Sequence, residues 1–174
     1  MLRVLAAVLL ALVLTGCADE PVNAPAPSPD AAFLSGMIPH HEQALELSAM
    51  VGGRGGSPGL EAMALRIDRE QVEEIGQMQG LGRARGLAPT PAGMMHGTAE
   101  PATLATLRSS RGPAFERLWL DTMISHHDGA LMMARDYLAT GTDDTLRRYA
   151  QVVVSTQSGE IGAMRAMRTS IVGP

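Results

Sequence analysis

A constant offset of 86 residues maps one part of this chain onto another, and that internal repeat narrows the possible folds more than any other feature. Met37, Ile38, His40, His41, Ala44 and Leu45 reappear as Met123, Ile124, His126, His127, Ala130 and Leu131, and Glu42 returns as Asp128. Farther along, Gln71, Glu74, Ile75, Gly76 and Met78 recur as Gln157, Glu160, Ile161, Gly162 and Met164. Trp119 takes the place of Phe33 and reads as a core anchor. A unit that repeats its apolar pattern in this way must bury one copy against the other.

Each copy reads as a helical hairpin. Leu34, Met37, Ile38, Ala44, Leu45 and Ser48 fall on one stripe at spacings of three and four, which predicts a helix from about Asp30 to Val51. The run Gly52 to Gly56 stops it, and Ser57-Pro58 starts a second helix with a cap followed by a proline. Its stripe is Leu60, Met63, Ala64, Ile67, Gln71, Glu74, Ile75, Met78 and Leu81. A Gly/Pro/Ala-rich connector covers residues 86–112, with one or two helical turns near Ala102 to Arg108. Gly112-Pro113 opens the third long helix (stripe Leu120, Met123, Ile124, Ala130, Leu131, Ala134, Leu138), Gly141 closes it, and Thr142 is expected to cap the fourth. The fourth stripe is Leu146, Ala150, Val153, Gln157, Glu160, Ile161, Met164 and Met167. No segment alternates with period two. The expectation is an all-α, ferritin-like four-helix bundle over residues 30–172, built from hairpins at about 30–85 and 113–170 with pseudo-twofold symmetry. Pro39, inside the first helix, predicts a kink beside His40; the second copy has Ser125 there.

The N-terminus sets the compartment. Arg3 precedes an apolar run from Val4 to Leu14, too short to span a bilayer comfortably but suited to a signal-peptide core. The run ends in Leu14-Thr15-Gly16-Cys17, small residues before the chain's only cysteine, as in a lipoprotein cleavage site. Residues 1–16 are read as a signal peptide and Cys17 as the lipidated residue. Residues 17–29, rich in proline and alanine, form an extended tether. This predicts a lipid-anchored, extracytoplasmic protein of the cell envelope, held on its membrane by acyl chains. With a formal net charge of -4, nucleic acid is excluded as an expected partner. A homodimer stays open.

The chemistry lies in the polar residues that interrupt the stripes: His41 and His127, Gln71 and Gln157, Glu74 and Glu160. Buried and unpaired, each would cost about 1 to 3 kcal/mol, so they must meet one another or a ligand. One reading is a hydrogen-bonded layer that fixes helix register. The other is a metal site. Met37 stands three residues before His40 and four before His41, and Met123 stands likewise before His126 and His127, so thioether and imidazole share a helix face. That soft donor set suits copper, Cu(I) above all, with zinc as the rival because imidazole and carboxylate suit it too. The metal set comprises Met37, His40, His41, Met123, His126, His127, Glu74, Met78, Glu160 and Met164. Met132, Met133 and the connector cluster Met94-Met95-His96 are further soft donors near the same end. Twelve methionines against five aromatic residues make Met63 and Met167 core filler. Glu42 and Asp128 are expected to face solvent.

The doubled motif Met37-Ile38-Pro39-His40-His41-Glu42-Gln43-Ala44 and Met123-Ile124-Ser125-His126-His127-Asp128-Gly129-Ala130, with Gln71-x-x-Glu74-Ile75 and Gln157-x-x-Glu160-Ile161, resembles the DUF305 family over roughly Asp30 to Arg168. The resemblance implies a ferritin-like bundle and, from some members, copper binding and copper tolerance outside the cytoplasm. It carries Met37, His40, His41, Met123, His126 and His127 into the metal site.

Three functions compete: a copper buffer or chaperone, a structural or protein-interaction bundle, and a ferritin-like redox enzyme. The enzyme class needs Glu-x-x-His on two helices. Here Met37 and Met123 stand where those glutamates would, so a binding protein rather than an enzyme is expected.

Overall fold

The computed structural model describes residues 26–54, 56–87 and 95–171, so the signal peptide, Cys17, most of the tether and Met94 lie outside the described residues. Among those described, the elements are all helices: α1 (Pro29–Ala49), α2 (Pro58–Ala84), α3 (Pro101–Ser109), α4 (Gly112–Thr140) and α5 (Asp144–Ile171). None is long and apolar enough to cross a membrane.

Local chemistry explains most of the boundaries. Ser28 and Ser57 cap α1 and α2, each accepting a backbone N–H at 3.2 Å, with proline in the first turn. Pro39 lies inside α1 without ending it, and α1 stops at Ala49, two residues earlier than expected. Gly141 follows α4 in extended conformation, so it is no left-handed cap. Glycine is required there because the Tyr137 ring occupies the space a Cβ would take. Thr142 does not cap α5. Asp143 does, its Oδ1 accepting from the backbone N–H of Thr145 and Leu146, both at 2.9 Å. Arg85, just past the end of α2, braces that carboxylate with two hydrogen bonds of 2.6 and 2.9 Å.

The helices α1 and α2 form one hairpin and α4 and α5 the other, and the hairpins meet chiefly through α1 against α4. Those two run antiparallel: Gly36 faces Met133, the His40 and His126 rings touch, and Trp119 Nε1 donates to the Leu47 carbonyl at 2.7 Å. The connector contributes more than loose turns, since α3 inserts Leu104 and Leu107 into the core.

Two apolar clusters result. One gathers Leu47, Leu60, Ile67, Phe115, Trp119, Met123 and Met164. The other gathers Phe33, Leu34, Met37, Met78, Tyr137 and Leu146. Along every long helix the residues between the clusters are the histidines, glutamines and glutamates singled out by the repeat, so a polar layer crosses the middle of the bundle. Leu45 is only half-buried, and Leu47 takes the core position.

Candidate metal centre

The layer is a row. His41 and His40 come from α1, His126 and His127 from α4, and all are buried to within 1 % exposure. Ring centroids stand 6.3 Å apart from His41 to His40, 3.8 Å from His40 to His126 and 6.1 Å from His126 to His127. A glutamate closes each end: His41 Nε2 lies 2.8 Å from Glu74 Oε2, and His127 Nε2 lies 2.9 Å from Glu160 Oε2. The pseudo-twofold axis implied by the repeat therefore passes between His40 and His126.

Hydrogen bonding fixes which nitrogens can act as ligands. An ionised carboxylate only accepts, so His41 and His127 donate from Nε2 to Glu74 and Glu160. His40 Nε2 likewise donates to the backbone carbonyl of His96 at 2.9 Å. In a neutral ring so held Nδ1 is the lone-pair nitrogen, and in all three rings it is buried with no partner. His126 has no partner at either nitrogen. Carboxylate or carbonyl behind a ring, lone pair in front, is how proteins orient imidazole ligands. The amide oxygens of Gln71 and Gln157 are buried and unpartnered as well.

Burial keeps the central pair neutral, as metal ligation requires. The pKa of His40 is pushed down to about 3, by burial first and then by the His41 imidazole. That of His126 falls well below the ordinary histidine value through burial and the neighbouring His40 and His127 rings. Burial works against ionisation of Glu160, yet the His127 hydrogen bond and the charge of Arg66, 3.5 Å away, hold its carboxyl below the usual range. Beside it, burial and the charge of Glu160 push the Glu70 carboxyl up.

The thioethers divide two and two. Met37 and Met78 are fully buried in one apolar cluster, and Met123 and Met164 in the other, one matched pair on either side of the row. Glu74 and Glu160 stand at opposite ends of it. Among the described residues no group of three or more His, Cys, Asp or Glu is placed to hold a metal ion, so neither the imidazoles nor the carboxylates gather three at one point. What the row offers is buried, unpartnered imidazole nitrogens between two apolar clusters that each contain two methionines.

The family model described as a domain of unknown function, DUF305, matches residues 30–168. The chain belongs to that family. No curated protein matches it at a significant level. A DUF305 protein from Streptomyces coelicolor is 29 % identical, with a TM-score of 0.78, covering 83 % of this chain and 94 % of that one. A DUF305 fragment from Deinococcus radiodurans is 30 % identical, with a TM-score of 0.76, over 83 % and 99 %. CopM in its Cu(I)-bound form is 27 % identical, with a TM-score of 0.70, over 83 % and 98 %. CopM has also been solved with Ag and with Cu(II).

Other residues of this DUF305 domain fall outside the row. Met63 is core, and Met167 packs against it as filler. Met132 is exposed, while Met133 and His96 line a groove of about 300 Å3 together with Asp136 and Tyr137. Glu42 is exposed, and Asp128 pairs with Arg165 at the surface. His96, expected to offer its side chain as a soft donor, reaches the row through its backbone carbonyl. Gln43, to which the sequence pattern assigns no role, binds the backbone of Ala99 from α1. The available signal was the repeat itself, because Gln43 and Gly129 break an otherwise matched motif.

Proposed function

We propose that this DUF305 domain binds copper, as Cu(I), at the imidazole row and serves as a copper-buffering or tolerance protein of the cell envelope. It is a binding protein in this reading rather than an enzyme, with the ion as its cargo. The observation that carries it is the set of buried, unpartnered Nδ1 atoms on His40, His41 and His127, each with its Nε2 proton already held. Desolvated lone pairs without a partner are costly, and a metal ion removes the cost. Met37, Met78, Met123 and Met164 supply thioethers that bind without losing a proton, which favours Cu(I) over zinc. The likeness to CopM, solved with Cu(I), Ag and Cu(II), points the same way. Export and anchoring through Cys17 follow from the sequence and complete the proposal. Radiolabelled palmitate should enter the wild-type protein and not Cys17→Ala, and equal labelling removes the anchor.

The test is titration of the protein from Ala18 onward with Cu(I) and Zn(II) against a competing chelator, repeated on His41→Ala/His127→Ala. Tight Cu(I) binding in the wild type, weakened at least ~100-fold in the variant, is the expected result. Equal binding by both proteins would leave the row as a register-fixing polar layer.

A further inference from the structure

Residues 96–99 form a short strap that crosses the row, and two features of the repeat hold it there. On the α1 side, Gln43 clamps both polar groups of one peptide residue: Ala99 N–H donates to Gln43 Oε1 at 2.6 Å, and Gln43 Nε2 donates to the Ala99 carbonyl at 3.1 Å. On the α4 side the strap lies directly on helix backbone. A Cβ on Gly97, whose φ of +75° already favours glycine, would collide with the Ser125 carbonyl, and a Cβ on Gly129 would collide with the carbonyl of His96. Gln43 and Gly129 occupy the same position of the two copies. One copy grips the strap and the other clears space for it.

The consequence falls on a single atom. With the strap seated, the His96 carbonyl stands 2.9 Å from His40 Nε2, and a carbonyl can only accept. Merely tying down a connector could be done at any exposed point, but this clamp delivers an acceptor to a fully buried imidazole. We propose that Gln43 is a positioning residue for the centre: by seating the strap it holds the proton of His40 on Nε2 and leaves Nδ1 as the ligand atom. Its bearing on metal binding rests on the copper reading above, while its bearing on the His40 tautomer does not.

The two parts are tested separately. Long-range nitrogen–proton correlation spectra of the 15N-labelled, metal-free full chain report the tautomer of each neutral imidazole. Wild type should show His40 protonated at Nε2. Gln43→Met keeps the bulk of the side chain and removes the amide, and it should convert His40 to a mixture or to the Nδ1–H form. Gln43→Glu retains the acceptor for Ala99 N–H and should stay nearer wild type. Gly129→Ala pushes on the strap from the opposite helix, while alanine favours the helix itself, and should reproduce the Gln43→Met effect. A His40 signal that stays Nε2–H in Gln43→Met and Gly129→Ala, both folded by circular dichroism, overturns the proposal. If the tautomer moves as expected, Cu(I) affinity should fall ~10-fold in Gln43→Met. An unchanged affinity there overturns the link from tautomer to metal. Wild-type protein without Cu(I) affinity overturns the copper reading and leaves the tautomer result standing.

Discussion

The two hairpins carry the same histidine–glutamate pairs on different supports. His41 and His127 each bind a glutamate from the partner helix at nearly equal distance, 2.8 and 2.9 Å. Around those pairs the copies diverge. The glutamate of the second copy, Glu160, is 4 % exposed and has Arg66 beside it, whereas the side chain of Glu74 is 12 % exposed. His40 has the His96 carbonyl and His126 has no partner. Where α1 has Gln43, α4 has Gly129. Duplication preserved the imidazoles, and the surrounding residues became free to differ because only one connector joins the halves and only one strap can cross the axis. The row is thus asymmetric, with its two halves held by different neighbours.

The sharpest way to break this comparison is to remove one histidine from each half. His127→Leu takes the hydrogen bond from a more deeply buried carboxylate, which keeps the Arg66 guanidinium 3.5 Å away, and should cost about 3 kcal/mol, the low end of the range for breaking a buried pair. His41→Leu leaves Glu74 nearer to water and should cost less, about 1 to 3 kcal/mol. Denaturant midpoints of the two metal-free variants measure the difference, and equal losses would show that the deeper burial of Glu160 has no energetic weight.

Acid should act on the centre of the row before the ion pairs at its surface. In the unfolded chain His40 titrates near 6.5, and in the fold it stays neutral down to about 3. Between those values the unfolded state binds the extra proton, so stability falls as pH falls. From pH 6.5 to pH 4.5 this one group removes about 2 kcal/mol, with His126 adding in the same direction. Denaturant midpoints at the two pH values should separate accordingly, and His40→Gln should flatten the dependence. A slope unchanged in His40→Gln would move the effect to other groups.

The fold and the layer were legible because both are periodic: helical spacing places residues on a face, and the 86-residue offset marks which polar residues interrupt that face twice. Spacing also placed Met37 and Met123 beside the histidines. It could not say that the repeat's symmetry sends Met37 with Met78 to one cluster and Met123 with Met164 to the other. Nor could it choose between nitrogens of a ring, since the partner of His40 is a backbone carbonyl 56 residues away. The docking of α3 was half-seen for a similar reason. A turn of helix is local information, but the burial of Leu107 depends on a core assembled from distant segments.

The start of α5 offers the smallest and cleanest test of how distant contacts decide a local choice. Thr142 and Asp143 are both good capping residues, and sequence favours neither decisively. In the fold Asp143 takes the cap because Arg85, at the end of the first hairpin, holds its carboxylate with the geometry that also faces the N–H groups of Thr145 and Leu146. The Arg85 hydrogen bond, with those of Leu146 and Thr145, draws the Asp143 pKa from 3.8 down to about 2. For a carboxyl lowered on folding, the stabilisation is complete above 3.8 and is lost as pH falls toward 2. Asp143→Ala should lower the thermal midpoint at pH 7 and leave little further change between pH 4 and pH 2 from this group, while Thr142→Ala, with its side chain exposed, should leave the midpoint where it was. Arg85→Ala should reproduce part of the Asp143→Ala loss but not all, because the cap bonds to α5 survive without the brace. If Thr142→Ala costs as much as Asp143→Ala, the cap is set by α5 alone and the first hairpin has no say in where the second one begins.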